Sequence, residues 1–276
     1  MSYHTLVYNA AAAGAGLTNV DFTGAVDTEV SQRSGHYIFT ERYRLLAAAM
    51  VGASVTRGRF QVPKWNAVGE AVLFNANRSL QPPSNPQWDS WLAYPPEIPQ
   101  NEEFQVQVSN NGAGEIENVV LQIAPDDWTA NLPQGELALC VRATAAITPT
   151  LNAWSGPNAI TLAQSLRGGV YAVVGTVVQG TNAVAWRWIF PRNKMYHGRR
   201  LRPGGLIQNA LGDTINNQVD PWVLGWGVKG VFHTFELPQI ELFGTLAGAI
   251  TYQIFLWLVR LGEPLSLLDQ YSRSGQ

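Results

Sequence analysis

The sequence is built from short β-rich runs separated by glycine, proline and asparagine, and this texture constrains the fold more than any other feature. Phe104-Gln105-Val106-Gln107-Val108 alternates apolar and polar residues strictly, which predicts a strand with one buried and one solvated face. Turn signals such as Asn110-Asn111-Gly112 and Arg167-Gly168-Gly169 separate the runs. Further runs of this kind occupy residues 119–123, 137–141, 170–178, 183–190, 231–237 and 254–259. Long helical periodicity is scarce, so the pattern predicts an all-β protein of the sandwich or barrel type.

Length and composition indicate two folded domains. The chain has 276 residues, and domains cluster around roughly 100–150 residues. Apolar residues make up 46% of the chain and charged residues only 14%, which excludes extensive disorder and allows a sizeable core. The formal net charge of -2 creates no overall field that would attract nucleic acid or an acidic membrane. Contact with either therefore requires a local patch of basic residues.

The single cysteine, Cys140, lies in an apolar run, so an internal disulfide is excluded and we expect a buried, unreactive side chain. Folding in a reducing compartment follows as the default. The N-terminus lacks the charged start and apolar stretch of a signal peptide. The apolar run 254–259 is far shorter than the roughly 20 residues of a spanning helix, so we expect no membrane span.

Four identities recur at a constant spacing of 128 residues. The identical pairs are Tyr43 and Tyr171, Gly52 and Gly180, Arg59 and Arg187, and Pro63 and Pro191. Phe104 falls on Phe232 at the same spacing. Chance is one explanation of such a match. The other is an internal duplication, which predicts two similar β domains with these residues in equivalent places.

The repeat decides one local ambiguity. Residues 40–51 could form a helix that is capped by Thr40 and stopped by Gly52. Their counterpart 171–178 is rich in β-branched residues, which favours a strand in both copies.

Residues 139–142 also resemble residues 257–260. The similarity indicates that each domain ends on an apolar strand whose last residue is arginine. We therefore expect an N-terminal arm over residues 1–19, a first sandwich over 20–147, a second sandwich over 148–262 and a tail over 263–276.

Two tandem β-sandwiches of this size resemble the double jelly-roll major capsid proteins of tailless icosahedral viruses, the lineage of adenovirus and several membrane-containing phages. The residues that support the resemblance are the segments ending Arg59-Phe60-Gln61-Val62-Pro63 and Arg187-Trp188-Ile189-Phe190-Pro191, together with the turn Arg202-Pro203-Gly204-Gly205. The resemblance implies two tandem jelly-roll β-sandwiches, that is, a double jelly roll. It also implies a homotrimer whose six jelly rolls form a pseudo-hexameric tile of a virus shell, with the strands upright.

The same resemblance implies a set of partners and a location. The partners would be copies of the chain in the same and in neighbouring capsomers, and other virion proteins such as a vertex protein. The resemblance leaves open a contact with an internal membrane or with the genome. The location would be the virion, after synthesis in the host cytoplasm. The resemblance implies neither a cofactor nor a small-molecule substrate.

One concentrated cluster of positive charge follows the second repeat segment. Its residues are Arg192, Lys194, Tyr196, His197, Arg199, Arg200 and Arg202. The cluster is either a solvated loop or a contact with a neighbouring subunit, the genome or an anionic membrane. Among the contacts we favour a neighbouring subunit, because one short patch on a slightly acidic protein binds nucleic acid poorly.

The tryptophans leave a similar pair of options. Six of the ten lie in loop-like stretches, at positions 65, 88, 91, 154, 222 and 226. They either make assembly contacts or cover the ends of the two sandwiches.

Catalytic signatures are weak, so we expect a structural protein without a catalytic centre, metal or cofactor. The four histidines, at positions 4, 36, 197 and 233, lack the close spacing of a metal site. Asp126-Asp127 is more typical of a turn cap than of acid–base chemistry, and the dinucleotide-like Gly14-Ala15-Gly16 lacks its third glycine. Two alternatives stay open: an aromatic-rich carbohydrate-binding or adhesion module, and a β-sandwich hydrolase with a dispersed site.

Overall fold

The structure is a computed structural model of the whole chain. It describes residues 3–11, 16–27, 29–53, 55–66, 73–78, 88–91, 95–110, 116–127, 139–191, 195–196, 199–209 and 228–263. The chain divides into two compact units. The N-terminal unit contains Thr5–Pro83 and Gln87–Asp126, and the C-terminal unit contains Met1–His4, Ser84–Pro86 and Asp127–Gln276.

The N-terminal unit has the strand order of a jelly roll. Its elements are β1 (His4–Ala11), β2 (Gly16–Asp21), β3 (Ser31–Arg33), β4 (His36–Ile38), β5 (Tyr43–Gly52), β6 (Val55–Gln61), α1 (Pro63–Asn66), β7 (Leu73–Arg78), β8 (Asp89–Ser90), β9 (Glu97–Ile98), β10 (Glu103–Asn110) and β11 (Ile116–Pro125). One sheet has the order β1-β11-β5-β9 and the other β4-β10-β6-β7, while β7 also pairs with β5. An eight-stranded jelly roll connects its two sheets in this way.

Aromatic side chains tie the two sheets of the N-terminal unit together. Phe39 lies 5.2 Å from Tyr43 of β5 and 6.0 Å from Phe104 of β10, measured between ring centroids. The hydroxyl of Tyr8 in β1 donates to the carbonyl oxygen of Phe104 at 2.5 Å. All four side chains are buried, so the core lies between the two sheets.

The C-terminal unit has the same strand order. Its elements are β12 (Leu139–Ile147), β13 (Asn158–Ala159), β14 (Thr161–Leu162), β15 (Val170–Gly180), β16 (Ala183–Ile189), β17 (Met195–Tyr196), β18 (Arg199–Arg200), β19 (Gly204–Asn209), β20 (Gly230–His233), β21 (Gln239–Gly244) and β22 (Ile250–Gly262). One sheet runs β12-β22-β15-β20 and the other β13-β21-β16-β19, while β19 also pairs with β15. One buried cluster joins residues of both sheets, including Tyr171, Trp186 and Leu256. The all-β fold of two jelly-roll sandwiches predicted from the sequence is confirmed.

The four identical pairs at the 128-residue spacing lie at matching places in the two units. In β6, Arg59 lies opposite Gln107 of β10, and in β16, Arg187 lies opposite Glu241 of β21. In the first sheets, Tyr43 of β5 faces Ile98, and Tyr171 of β15 faces Phe232. Gly52 and Gly180 end β5 and β15, while Pro63 begins α1 and Pro191 follows β16.

Two of the sequence comparisons do not hold in the structure. Phe104 and Phe232 are not equivalent, because Phe104 lies in β10 and pairs with Tyr37 of β4, whereas Phe232 lies in β20 and pairs with β15. The echo between residues 139–142 and 257–260 joins neighbouring strands of one sheet, since Leu139 of β12 lies directly opposite Leu258 of β22. The two segments look alike because both strands place an apolar face on the same core.

The divisions differ from the boundaries expected at residues 19/20 and 147/148. β1 belongs to the first sheet of the N-terminal jelly roll instead of a free arm, and β12 belongs to the C-terminal jelly roll. A jelly roll pairs its first strand with its last, so each sandwich needs a strand that precedes the expected boundary. The tail 264–276 lies outside the described residues.

Some local predictions from the sequence are confirmed and one is wrong. β5 is a strand, as predicted against the helix alternative, because β11 and β7 pair with its two edges. Phe104 to Val108 alternates buried and half-buried as predicted. Gly204 and Gly205, expected in a turn, begin strand β19. A Cβ atom on Gly204 would lie 1.9 Å from the carbonyl oxygen of Trp186, so glycine is required by the close approach of two strands.

The prediction that Cys140 is buried is wrong. Cys140 is exposed, whereas its neighbour Val141 is fully buried. Side chains alternate between the faces of a strand, and the register of β12 gives the inner face to Val141 and Ala143.

Candidate functional site

A buried cluster of charges connects three segments of the C-terminal unit. Arg187 of β16 donates from Nε to Oε2 of Glu241 at 2.5 Å, and only 3% and 6% of the two side chains are exposed. Arg202, just before β19, donates from Nη1 to both carboxylate oxygens of Glu241, at 3.2 and 2.9 Å. One carboxylate thus accepts hydrogen bonds from two guanidinium groups. Burial of charge is tolerated only when it is paired in this way.

The tryptophan of the segment after β12 completes this cluster. The guanidinium carbon of Arg187 lies 4.0 Å from the ring centroid of Trp154, which is a cation–π contact. The same ring meets Phe243 edge to face at 5.5 Å. Trp154 therefore covers the ion pair between β16 and β21.

Trp65 has a comparable role in the N-terminal unit. Its ring contacts Phe60 and Phe104 at 6.0 and 5.8 Å, and its Nε1 donates to the carbonyl oxygen of Glu97 at 2.7 Å. Trp65 and Trp154 therefore each pack over buried aromatic side chains of their own unit. Trp222 and Trp226 lie outside the described residues.

The basic cluster predicted from the sequence is only partly described. In the antiparallel register of β17 and β18, Tyr196 pairs with Arg199 and Met195 pairs with Arg200. Arg192, Lys194 and His197 lie outside the described residues. Arg202 points to Glu241, so it serves an internal ion pair. Sequence reasoning missed this role because Glu241 is 39 residues away and belongs to a different strand.

The histidines that the structure describes take part in packing and backbone contacts. His4 accepts a hydrogen bond at Nδ1 from the backbone N–H of Arg202 at 3.0 Å. The buried His36 lies beside the ring of Tyr8, with centroids 6.3 Å apart. Within the described ranges, no group of three or more His, Cys, Asp or Glu side chains could hold a metal ion. In the same ranges, no helix has the length and apolar character needed to cross a membrane.

Asp126, considered as a turn residue or an acid–base group, pairs with Arg44. The Arg44 Nη2 to Asp126 Oδ1 distance is 2.6 Å, and each side chain is 35% exposed. This pair links β5 to the end of β11.

Exposed apolar side chains lie mainly on the loops of the C-terminal unit. Leu151, Phe235 and Leu246 are 55%, 62% and 58% exposed. Leu151 bridges to Gly244, and Leu246 donates its N–H to the carbonyl oxygen of Asn182, so these two leucines lie on adjoining loops. Phe235 lies on the turn that leads from β20 to β21, in a different group of loops.

A cavity lies beside Phe235. Its volume is about 300 Å³, at the lower end of the range of small-molecule sites. Its lining residues are Leu162, Gln164, Ser165, Leu166, Thr234 and Leu237. The lining combines three leucines with three polar residues.

Comparisons with known proteins give one structural likeness. No protein-family model matches the sequence. A search of curated proteins gives no significant match. Among solved structures, the chain is similar to the major capsid protein P2 from bacteriophage PM2, with 9% sequence identity and a TM-score of 0.25. The match covers 94% of this chain and 97% of that chain.

Proposed function

We propose that this chain is a structural subunit of an icosahedral virus shell, a major capsid protein that assembles as pseudo-hexameric trimers. The observation that carries the proposal is the presence, in one chain, of two complete sets of eight strands in jelly-roll order. Jelly rolls occur in viral capsid and lectin domains, where two packed sheets leave short edges and wide end loops.

The doubling of the fold favours the capsid role over a lectin role. Three copies of a chain with two similar domains close into a ring of six similar units, and such a ring meets its neighbours through nearly equivalent edges. A binding module needs only one jelly roll. Matching registers at Arg59 and Arg187 support the similarity of the two domains in this chain.

The charges and apolar side chains also suit a shell subunit without a catalytic centre. Arg187 and Arg202 share the carboxylate of Glu241 within the unit, and Arg44 pairs with Asp126. Large apolar side chains stay exposed on loops, where a neighbouring subunit can exclude water from them.

The partners in this proposal are other copies of the chain and other virion proteins, such as a vertex protein. The basic residues around Arg199 and Arg200 would contact a neighbouring subunit, and any contact with an internal membrane or with the genome would involve the same residues. The location is the virion of a phage or related virus, after synthesis in the host cytoplasm.

Sedimentation velocity of the purified full chain tests the proposal. We expect a species with the mass of three 30.2-kDa chains and, at higher concentration, larger particles. A monomer that persists at high concentration and binds to immobilised glycans would contradict the capsid role and favour the binding module.

A further inference from the structure

Strand β22 carries apolar side chains on both of its faces. Every second residue from Tyr252 to Leu258 is buried in the core of the C-terminal unit. Four residues that point away from this core are half-buried, namely Gln253, Phe255, Trp257 and Val259. Outward positions of an antiparallel sheet with one solvated face are usually polar. Three apolar side chains at such positions therefore indicate that another surface covers them.

Strand β12 extends the same face. Its register places Cys140 opposite Trp257 and Arg142 opposite Phe255, and both Cys140 and Arg142 are exposed. We define the open face by these residues and their neighbours, namely Cys140, Arg142, Thr144, Gln253, Phe255, Trp257 and Val259. Arg142 is the one charged residue of this set. Aromatic residues in a patch with few charges are typical of the buried centre of a protein interface.

The internal repeat identifies the corresponding face of the N-terminal unit. Strands β5 and β15 interrupt their pairing with β11 and β22 at one residue each, Leu46 and Val174. The 128-residue spacing of the repeat relates these two residues, so the side chains alternate in the same way in both units. The residue pairs Gly175–Trp257 and Val177–Phe255 of the C-terminal unit therefore correspond to Ala47–Gln122 and Ala49–Val120.

This corresponding face is fully buried. Asn118, Val120, Gln122 and Ala124 of β11 are each 0% exposed. Thr5 of β1 is also 0% exposed and donates from Oγ1 to Oε1 of Gln122 at 2.9 Å. The same face of the jelly roll is therefore excluded from water in the N-terminal unit and open in the C-terminal unit. A closed ring of similar units repeats one kind of contact around its circumference, so we expect the next chain to cover the face that is left open.

We propose that the open face binds a second copy of this chain, and that this contact joins neighbouring chains of the trimer. The two contacting surfaces differ, because rotation about a threefold axis brings the open face of one chain against another surface of the next chain. Phe255 and Trp257 supply the apolar area of the contact. The inference rests on the proposed function, since it assigns the open face to the trimer.

Thiol modification of the full chain tests whether a second copy covers the open face. Cys140 is the single cysteine of the chain and is exposed. We expect a maleimide to modify Cys140 at least about tenfold more slowly in the trimer than in diluted, dissociated chains, since an interface excludes solutes from the side chains that it covers. The control is Cys140→Ser combined with Leu246→Cys, which moves the thiol to an exposed loop outside the open face. Its rates in the two states should agree within about twofold.

Phe255→Lys tests the contact independently. A lysine at this outward position stays solvated in a free chain but loses its water in the contact, so we expect the dissociation constant of the trimer to rise at least about tenfold. Sedimentation equilibrium measures this constant. The control Leu246→Lys should stay within about twofold of the wild type, and both variants should keep the wild-type circular dichroism.

The outcomes separate the inference from the proposed function. A trimer in which Cys140 reacts as fast as in the monomer, and which Phe255→Lys does not weaken, overturns the inference alone. A monomer whose Cys140 is protected also overturns it, because the chain then covers the open face itself. A dimer with a protected Cys140 that Phe255→Lys abolishes supports the open face as a contact between copies and contradicts the trimer. A monomer with a reactive Cys140 at all concentrations contradicts both.

Discussion

Two arginines at matching register positions meet different partners. Arg187 is 3% exposed and donates to the carboxylate of Glu241, whereas the half-buried Arg59 donates from Nε to the amide oxygen of Gln107 at 2.6 Å. A guanidinium that keeps contact with water needs no counter-charge, but a dry one does. Whether each arginine pairs with a carboxylate or with a neutral amide therefore depends on how deeply its guanidinium group is buried.

This difference predicts unequal costs of truncation. Glu241→Ala leaves two guanidinium groups without their carboxylate, and we expect a loss of about 3–5 kcal/mol in the free energy of unfolding of the C-terminal unit. Gln107→Ala, the matched change in the N-terminal unit, should cost about 1 kcal/mol. Urea denaturation followed by tryptophan fluorescence measures both. Equal losses would contradict the account.

We expect the buried Tyr252 to make the stability of the C-terminal unit sensitive to high pH. Burial raises the pKa of its hydroxyl above the value of about 10 in the unfolded chain, and the hydroxyl donates to the carbonyl oxygen of Thr181 at 2.5 Å. The folded state holds this proton more tightly, so the stabilisation is complete below about pH 10 and is lost as the pH rises further.

Tyr252→Phe should therefore lose about 1 kcal/mol at neutral pH, from the missing hydrogen bond, and should lose less of its remaining stability than the wild type above about pH 10. Thermal melting from pH 8 to 11 checks both effects. Parallel curves for the two proteins across that range would show that Tyr252 does not titrate as described.

At the scale of elements, one strand in each unit serves both sheets. The start of β19 pairs antiparallel with β16 at Gly204, and its end pairs parallel with β15 at Ile207. β7 does the same between β6 and β5. These strands close the sandwich along one side, so their close backbone contacts matter for the whole unit.

Gly204→Ala should disrupt this junction. The new Cβ would meet backbone atoms of Trp186, which cannot move aside like a flexible side chain, and we expect a cost of about 3 kcal/mol. Gly168→Ala is the matched control, because a Cβ there has no heavy atom within 4 Å, and it should change stability by less than about 0.5 kcal/mol. Chemical denaturation distinguishes the two, and a Gly204→Ala protein as stable as the control would refute the close approach.

Alternation and β-branching made β10 and β22 readable from the sequence, and the internal repeat made β5 readable. These signals did not reveal that the first strand of each jelly roll pairs with its last strand. The sequence therefore predicted β12 as the end of the first domain and β1 as part of an N-terminal arm. The same signals also gave the wrong face to Cys140, because a one-residue change of register exchanges the faces. The partners of Arg187 and Arg202 lie 54 and 39 residues away, and no local signal identifies Glu241.

At the scale of the whole molecule, the strand order decides where the chain can be divided. A fragment of residues 127–276 contains every strand of the second jelly roll, whereas a fragment of residues 148–276 lacks β12 and leaves an edge of β22 unpaired. An unpaired edge strand invites aggregation. We expect the longer fragment to be soluble with ordered near-ultraviolet circular dichroism and the shorter one to aggregate. A soluble, ordered fragment 148–276 would contradict the assignment of β12.

Electron microscopy of the purified full chain tests the central claim most directly, because it shows how many jelly rolls one particle contains. The account predicts particles with threefold symmetry and six similar lobes, two from each chain, that associate edge to edge into larger shells. Images of separate two-lobed particles at all concentrations, or of closed assemblies without a threefold axis, would contradict it.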